Sequence, residues 1–150
     1  MPVNPKRSAT ITKMRETAST AHRKGNYAEA VRLYSFSIDM ANQRPAWEPS
    51  GLVRDELALL YANRAQSHMA AQNWVEGWKD AESSVECKRI QNSKAWWRGG
   101  KCLYEMGRYT DAAEWLTKAL ELEGKEGEAG KDISGLLADA KRELDKDIKI

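Results

Sequence analysis

The sequence predicts an all-α solenoid of three helix-turn-helix repeats with a C-terminal capping helix. Three observations lead there. A short pattern of aromatic and small residues recurs along the chain. Small residues upstream of each copy fall in the same register. The C-terminal stretch then carries apolar residues at helical spacing.

The columns are explicit. Gly25-Asn26-Tyr27 is followed by Ala30, Tyr34 and Ser37. Gln72-Asn73-Trp74 is followed by Gly77, Ala81 and Ser84, and Gly107-Arg108-Tyr109 by Ala112, Leu116 and Ala119. Ala18, Ala65 and Gly100 hold the matching upstream place. Every column steps by 47 and then 35 residues, a 34-residue unit with 13 and then 1 extra. That unit is the period of the tetratricopeptide repeat (TPR).

Each unit reads as two antiparallel helices. Small residues mark where the pair crosses closely, because a bulky side chain there forces the axes apart. The aromatic at Tyr27, Trp74 or Tyr109 opens the second helix and fills the space between neighbours. No pair buries its apolar face alone, so stacking builds the core. The units are expected at 11–44, 58–91 and 93–126 within a domain spanning 10–148. First helices are expected near 10–24, 52–71 and 92–106, second helices near 27–41, 74–88 and 109–122. Residues 1–9 read as a flexible tail. Residues 45–57 read as an insertion whose prolines, Pro45 and Pro49, stop the preceding helix and which Trp47 anchors. Glycines at 124, 127 and 130 mark a link. Beyond it, Ile133, Leu136, Leu137, Ala140, Leu144 and Ile148 define a capping helix over about 131–148.

Composition narrows the function. The 150-residue chain is long enough for one real core. With 24 basic and 22 acidic residues, the net charge of +2 argues against a wholesale grip on nucleic acid or an anionic membrane. No apolar run reaches the length of a spanning helix. No P-loop or GxGxxG is present. His22 and His68 are too isolated for a metal site. Cys87 and Cys102 form no CxxC and read as small, reduced hydrophobes. The expectation is a non-enzymatic protein with neither cofactor nor metal.

The charges that stand out lie on the first helices, which line the groove of such a solenoid. The inward positions are Arg15, Ser19 and Arg23 in the first unit, Asn63 and Gln66 in the second, and Lys94, Arg98 and Lys101 in the third. Lys94, Arg98 and Lys101 repel one another at i, i+4, i+7, each pair by about 0.2–0.5 kcal/mol. Glu105 relieves Lys101 alone. On an arbitrary helix this is a solvated basic face. Here it coincides with the expected groove, which suits an acidic ligand. Cations plus an amide on separate rigid helices match two carboxylates a few ångströms apart. A peptide ending in Asp carries that pair in its side chain and its free terminus.

This inward set resembles the dicarboxylate clamp of chaperone-binding TPR domains. In that pattern the first repeat gives a Lys and an Asn, the second an Asn, the third a Lys and an Arg. Asn63 in Tyr61-Ala62-Asn63-Arg64-Ala65 matches the second-repeat Asn, and Lys94 and Arg98 match the third-repeat pair. Arg15 falls on the Lys position, which keeps the charge and changes the geometry. Ser19 falls where the family has Asn, with a shorter donor. Arg23, Gln66, Trp97 and Lys101 form a secondary groove set. Residues 44–49 (Arg-Pro-Ala-Trp-Glu-Pro), 60–65 (Leu-Tyr-Ala-Asn-Arg-Ala) and 84–88 (Ser-Val-Glu-Cys-Lys) further resemble the TPR domain of the fungal endoplasmic-reticulum (ER) Sec translocation subunit family. That resemblance covers roughly 10–145. It implies an adaptor that binds the Glu-Glu-Val-Asp tail of cytosolic heat shock protein 70 chaperones. It also implies a place at the cytosolic face of the ER membrane, reached through partner subunits of the translocon. Two other readings stand beside it: a scaffold binding a folded partner through the convex face or insertion, and a nucleic-acid binder using Lys94, Arg98 and Lys101.

Among the tryptophans, Trp74, Trp96 and Trp115 sit in repeat positions that pack. Trp97 adjoins the clamp face. Trp78 is left open between surface and edge packing.

Overall fold

A computed structural model describes residues 4–148. Among them are seven helices: α1 (Pro5–Arg23), α2 (Tyr27–Asn42), α3 (Ser50–Ala70), α4 (Trp74–Cys87), α5 (Ser93–Glu105), α6 (Tyr109–Glu123) and α7 (Gly127–Ile148). No strand occurs among the described residues. Each helix packs on its neighbours in sequence, and α1, α3, α5 and α7 also touch in succession. The chain is therefore a stack of hairpins with the first helices side by side.

The three hairpin turns share one geometry. Gly25, Gln72 and Gly107 each have positive φ, at 83°, 62° and 76°. The following residue sends its N–H back to a carbonyl five positions earlier: Asn26 to Ala21 at 2.9 Å, Asn73 to His68 at 2.8 Å, Arg108 to Leu103 at 2.9 Å. This left-handed stop satisfies the last carbonyls of the first helix and reverses the chain. Gln72 adopts it with a side chain, against the usual preference for glycine.

The small-residue columns are the crossing points. Ala18, Ala30, Ala65, Ala81 and Ala112 are fully enclosed. A Cβ on Gly100 would lie 2.4 Å from Cδ2 of Leu116, and one on Gly77 2.9 Å from Sγ of Cys102. Around Gly100 the main core gathers Trp96, Leu116 and Ala119 with Ile133, Leu136 and Leu137 of α7. The seventh helix thus covers the apolar edge of the third hairpin. Trp78, open in the sequence, packs edge-on to Trp115 at 4.6 Å between ring centres.

Three expectations need correcting. Helix α1 starts at Pro5, so residues 5–9 are not tail; residues 1–3 lie outside those described. Asn4 caps the helix, accepting from the N–H groups of Lys6 (3.0 Å) and Arg7 (3.1 Å), with Pro5 in the first turn where no N–H is needed. Helix α7 begins at Gly127, because the chain has already turned at Gly124 (φ 87°). Trp47 does not anchor the insertion, being 54% exposed. The anchor is ionic. Arg44 donates to both oxygens of Glu56 (2.8 and 2.9 Å), to Glu48 (3.1 Å) and to Ser8 (2.9 Å), and Glu48 accepts the Asn4 N–H at 2.6 Å. Arg44 and Glu48 are almost wholly buried there. An enclosed pair with its lone pairs and protons satisfied is tolerated, whereas removing one partner leaves the other's charge uncompensated.

Candidate functional site

The face shared by α3 and α5 carries the site. Asn63 projects from α3, one helical turn after Leu59. Lys94 and Arg98 project from α5, one turn apart. All three line one pocket of about 320 Å³, floored by Ala58 and Ala62. The turn between α4 and α5 forms another wall. Gln91 holds φ 54° there, and two contacts fix the turn. The Glu123 carboxylate of α6 accepts from the N–H groups of Asn92 (2.7 Å) and Gln91 (3.2 Å). The Asn92 amide donates to the carbonyl of Lys88 (3.0 Å) and to the Ser84 hydroxyl (3.1 Å). Lys94 therefore starts from a rigid root.

Arg98 is the unusual group. Its Nη1 donates to the Ala62 carbonyl at 2.7 Å. No carboxylate lies within 4.0 Å of it among the described residues. Burial pushes its pKa below the ordinary arginine value, and the nearby Tyr34 phenol opposes that. The guanidinium nevertheless stays charged at neutral pH. Its field also reaches α1: burial first, and Arg98 second, hold the His22 pKa below its ordinary value. A largely buried cation bonded only to a neutral carbonyl is poorly compensated. An anion in the pocket would compensate it.

A second pocket of about 240 Å³ adjoins the first, sharing Ser93, Lys94 and Arg98 and adding Gln66, Trp97 and Asp132 of α7. Gln66 and Trp97 thus stand next to the cations.

The other anticipated residues do not join them. Ser19 shares a 2.8 Å hydrogen bond with the Tyr34 hydroxyl. Neither Ser19 nor Arg15 lines either pocket, although Arg15 has no ion-pair partner among the described residues. Arg23 is exposed and donates to Thr20 at 3.0 Å. Lys101 is drawn away: it pairs with Glu105 at 2.8 Å and sits 5.3 Å from the centre of the Tyr104 ring. The basic stripe is therefore two residues deep at the pocket. Sequence reasoning missed Asp55, Lys88, Gln91 and Asn92, which also line the first pocket. Asp55 lies two turns before Asn63 on the same face of α3, so helical spacing could have found it; Lys88, Gln91 and Asn92 sit in an irregular turn, where helical periodicity gives no facing. Cys102 is buried, its thiol pKa pushed up to about 12 by burial, which suits the packing role expected of it.

Solved structures agree with this architecture. A chain of the Sec complex from S. cerevisiae superimposes with a TM-score of 0.79 at 20% identity, over 97% of this chain and 74% of that one. The TPR2B domain of yeast Sti1, in a complex with an Hsp70 peptide, superimposes with a TM-score of 0.75 at 20% identity, over 89% and 98%. This is a tetratricopeptide-repeat domain. No family model matches the chain. In sequence, the TPR domain is 32% identical over 115 residues to the ER protein translocation subcomplex subunit sec67 of Schizosaccharomyces pombe, covering 77% of this chain. It spans 59% of that relative's length. The likeness agrees with the translocation-subunit resemblance read from the sequence. Among the described residues, no helix of the TPR domain is long and apolar enough to cross a membrane.

Proposed function

We propose that this TPR domain is a non-enzymatic adaptor that holds the acidic C-terminal tail of a heat shock protein 70 chaperone in the pocket of Asn63, Lys94 and Arg98. In the proposal the parent protein thereby recruits the chaperone to the ER translocon for post-translational translocation. One observation carries it: a largely buried, uncompensated guanidinium shares a pocket with an ammonium and an amide on two separate helices. A terminal Asp presents two carboxylates on one residue. One meets Arg98 and Lys94, and Asn63 donates to the other without adding repulsion. Arg15 approaches from α1 as an outer charge, and Trp97 meets residues upstream of the terminus. Charge-assisted hydrogen bonds of about 1.5–3 kcal/mol each, less the ordering of the peptide, give micromolar affinity. The relatives support the setting: sec67 is named for ER translocation, and the Sti1 domain carries an Hsp70 peptide.

The test is calorimetric titration with a synthetic peptide ending in Glu-Glu-Val-Asp, as free acid and as C-terminal amide. The free acid should bind with a Kd of about 1–100 µM, and the amide at least about tenfold more weakly. Equal affinity would end the proposal.

A further inference from the structure

Resting on the reading above, the same pocket carries one cation more than a terminal Asp can use. Its basic lining is Lys88, Lys94 and Arg98, and its acid is Asp55. In that reading one carboxylate of the terminal Asp engages both Lys94 and Arg98, and the other takes the Asn63 amide. Lys88 is left with Asp55, and the two make a loose pair. Lys88 Nζ lies 3.7 Å from Asp55 Oδ1, beyond hydrogen-bond length, and the Asp55 side chain is 58% exposed. Solvent screens such a contact heavily. The backbone of Lys88, in contrast, is fixed at both ends of its peptide. Its N–H donates to the Ser84 carbonyl at 3.0 Å, and its own carbonyl accepts from the Asn92 amide at 3.0 Å. A flexible ammonium thus hangs from a rigid root into a pocket of matching charge.

We propose that Lys88 is a further ligand-binding residue, which leaves Asp55 for an acidic side chain preceding the terminal Asp, and that Asp55 opposes this exchange. The ligand wins because its carboxylate lies among three cations, one of them largely desolvated, where attraction is less screened than at Asp55. Asp55 lines the same pocket, so it also repels every acidic ligand. The Lys88–Asp55 pair then sets a threshold: a peptide with acidic residues before its terminal Asp displaces Asp55, and one with neutral residues there does not. The pocket is thereby a reader of the third carboxylate as well as the first two.

The experiment compares two free-acid peptides, one ending Glu-Glu-Val-Asp and one ending Gln-Gln-Val-Asp, on wild type, Lys88→Ala, Lys88→Arg and Asp55→Asn. Lys88→Ala should weaken the Glu peptide about fivefold and the Gln peptide by less than about twofold. Lys88→Arg should restore most of the difference. Asp55→Asn should tighten the Glu peptide about threefold, an effect that shrinks as salt is raised. An equal loss on both peptides, or no loss on either, overturns the role of Lys88. If wild type still separates free acid from amide in that case, only this inference falls. If wild type treats acid and amide alike, the terminal-carboxylate reading falls and takes this inference with it.

Discussion

The first and third hairpins present equivalent helices to the same face and equip them differently. On α5, Lys94 and Arg98 line a common pocket with Asn63, and although Asp55 lines it too, neither cation has a carboxylate within 4.0 Å among the described residues. On α1, the hydroxyl of Ser19 is engaged with Tyr34, and Arg15 stands outside both pockets. The contrast teaches that a repeat position is only an address. What a side chain does there depends on what the second helix of its own hairpin offers it. Tyr34 offers Ser19 a hydroxyl. At the equivalent place of the third hairpin, Leu116 offers nothing polar, and Gly100 opposite it lets the helices close.

The contrast can be broken or sharpened by substitution, with peptide affinity as the measure. Arg98→Ala should have the largest effect, a loss of about 2–3 kcal/mol for the Glu-Glu-Val-Asp peptide, read by calorimetry alongside a melting curve that confirms folding. Lys94→Ala should weaken binding about tenfold at low ionic strength, with the deficit narrowing as salt rises, since its ammonium is exposed. Arg15→Ala should reduce affinity by less than about threefold; a deficit equal to that of Lys94→Ala would erase the distinction between the two hairpins. Ser19→Asn should give the smallest change, a gain of about twofold, because the longer amide must first forgo the Tyr34 hydroxyl before it can reach a ligand. A tenfold gain there would show that α1 lacks only one donor to match α5.

Much of this was legible in the sequence, for reasons that can be named. The turn columns at 25, 72 and 107 report a backbone requirement, and all three turns have the left-handed form. The small-residue columns report helix crossing, and Gly100 against Leu116 shows how little room remains. Asn63, Lys94 and Arg98 were drawn to one place by helical spacing within well-ordered first helices. Less regular segments escaped. Lys88, Gln91 and Asn92 belong to a turn set by a glutamate 31 residues further on for Asn92, a partner no local pattern reveals. Lys101 obeyed its neighbour at i+4 over its place in the stripe. Trp47 suggested an apolar anchor where the insertion has an ionic one, since aromatic size in a loop says nothing about which side faces inward.

The ionic knot at Arg44 has a consequence for dissecting this molecule. It ties the entry of α1, through Asn4 and Ser8, to Glu48 near the start of the insertion and Glu56 near its end. A fragment trimmed to the 34-residue period would sever that knot on both sides at once, stranding a guanidinium without its carboxylates. The smallest autonomous piece of the N-terminal half is therefore longer than one repeat. It must run from Asn4 at least to Glu56, and shortening by repeat arithmetic alone would cut through a closed electrostatic circuit.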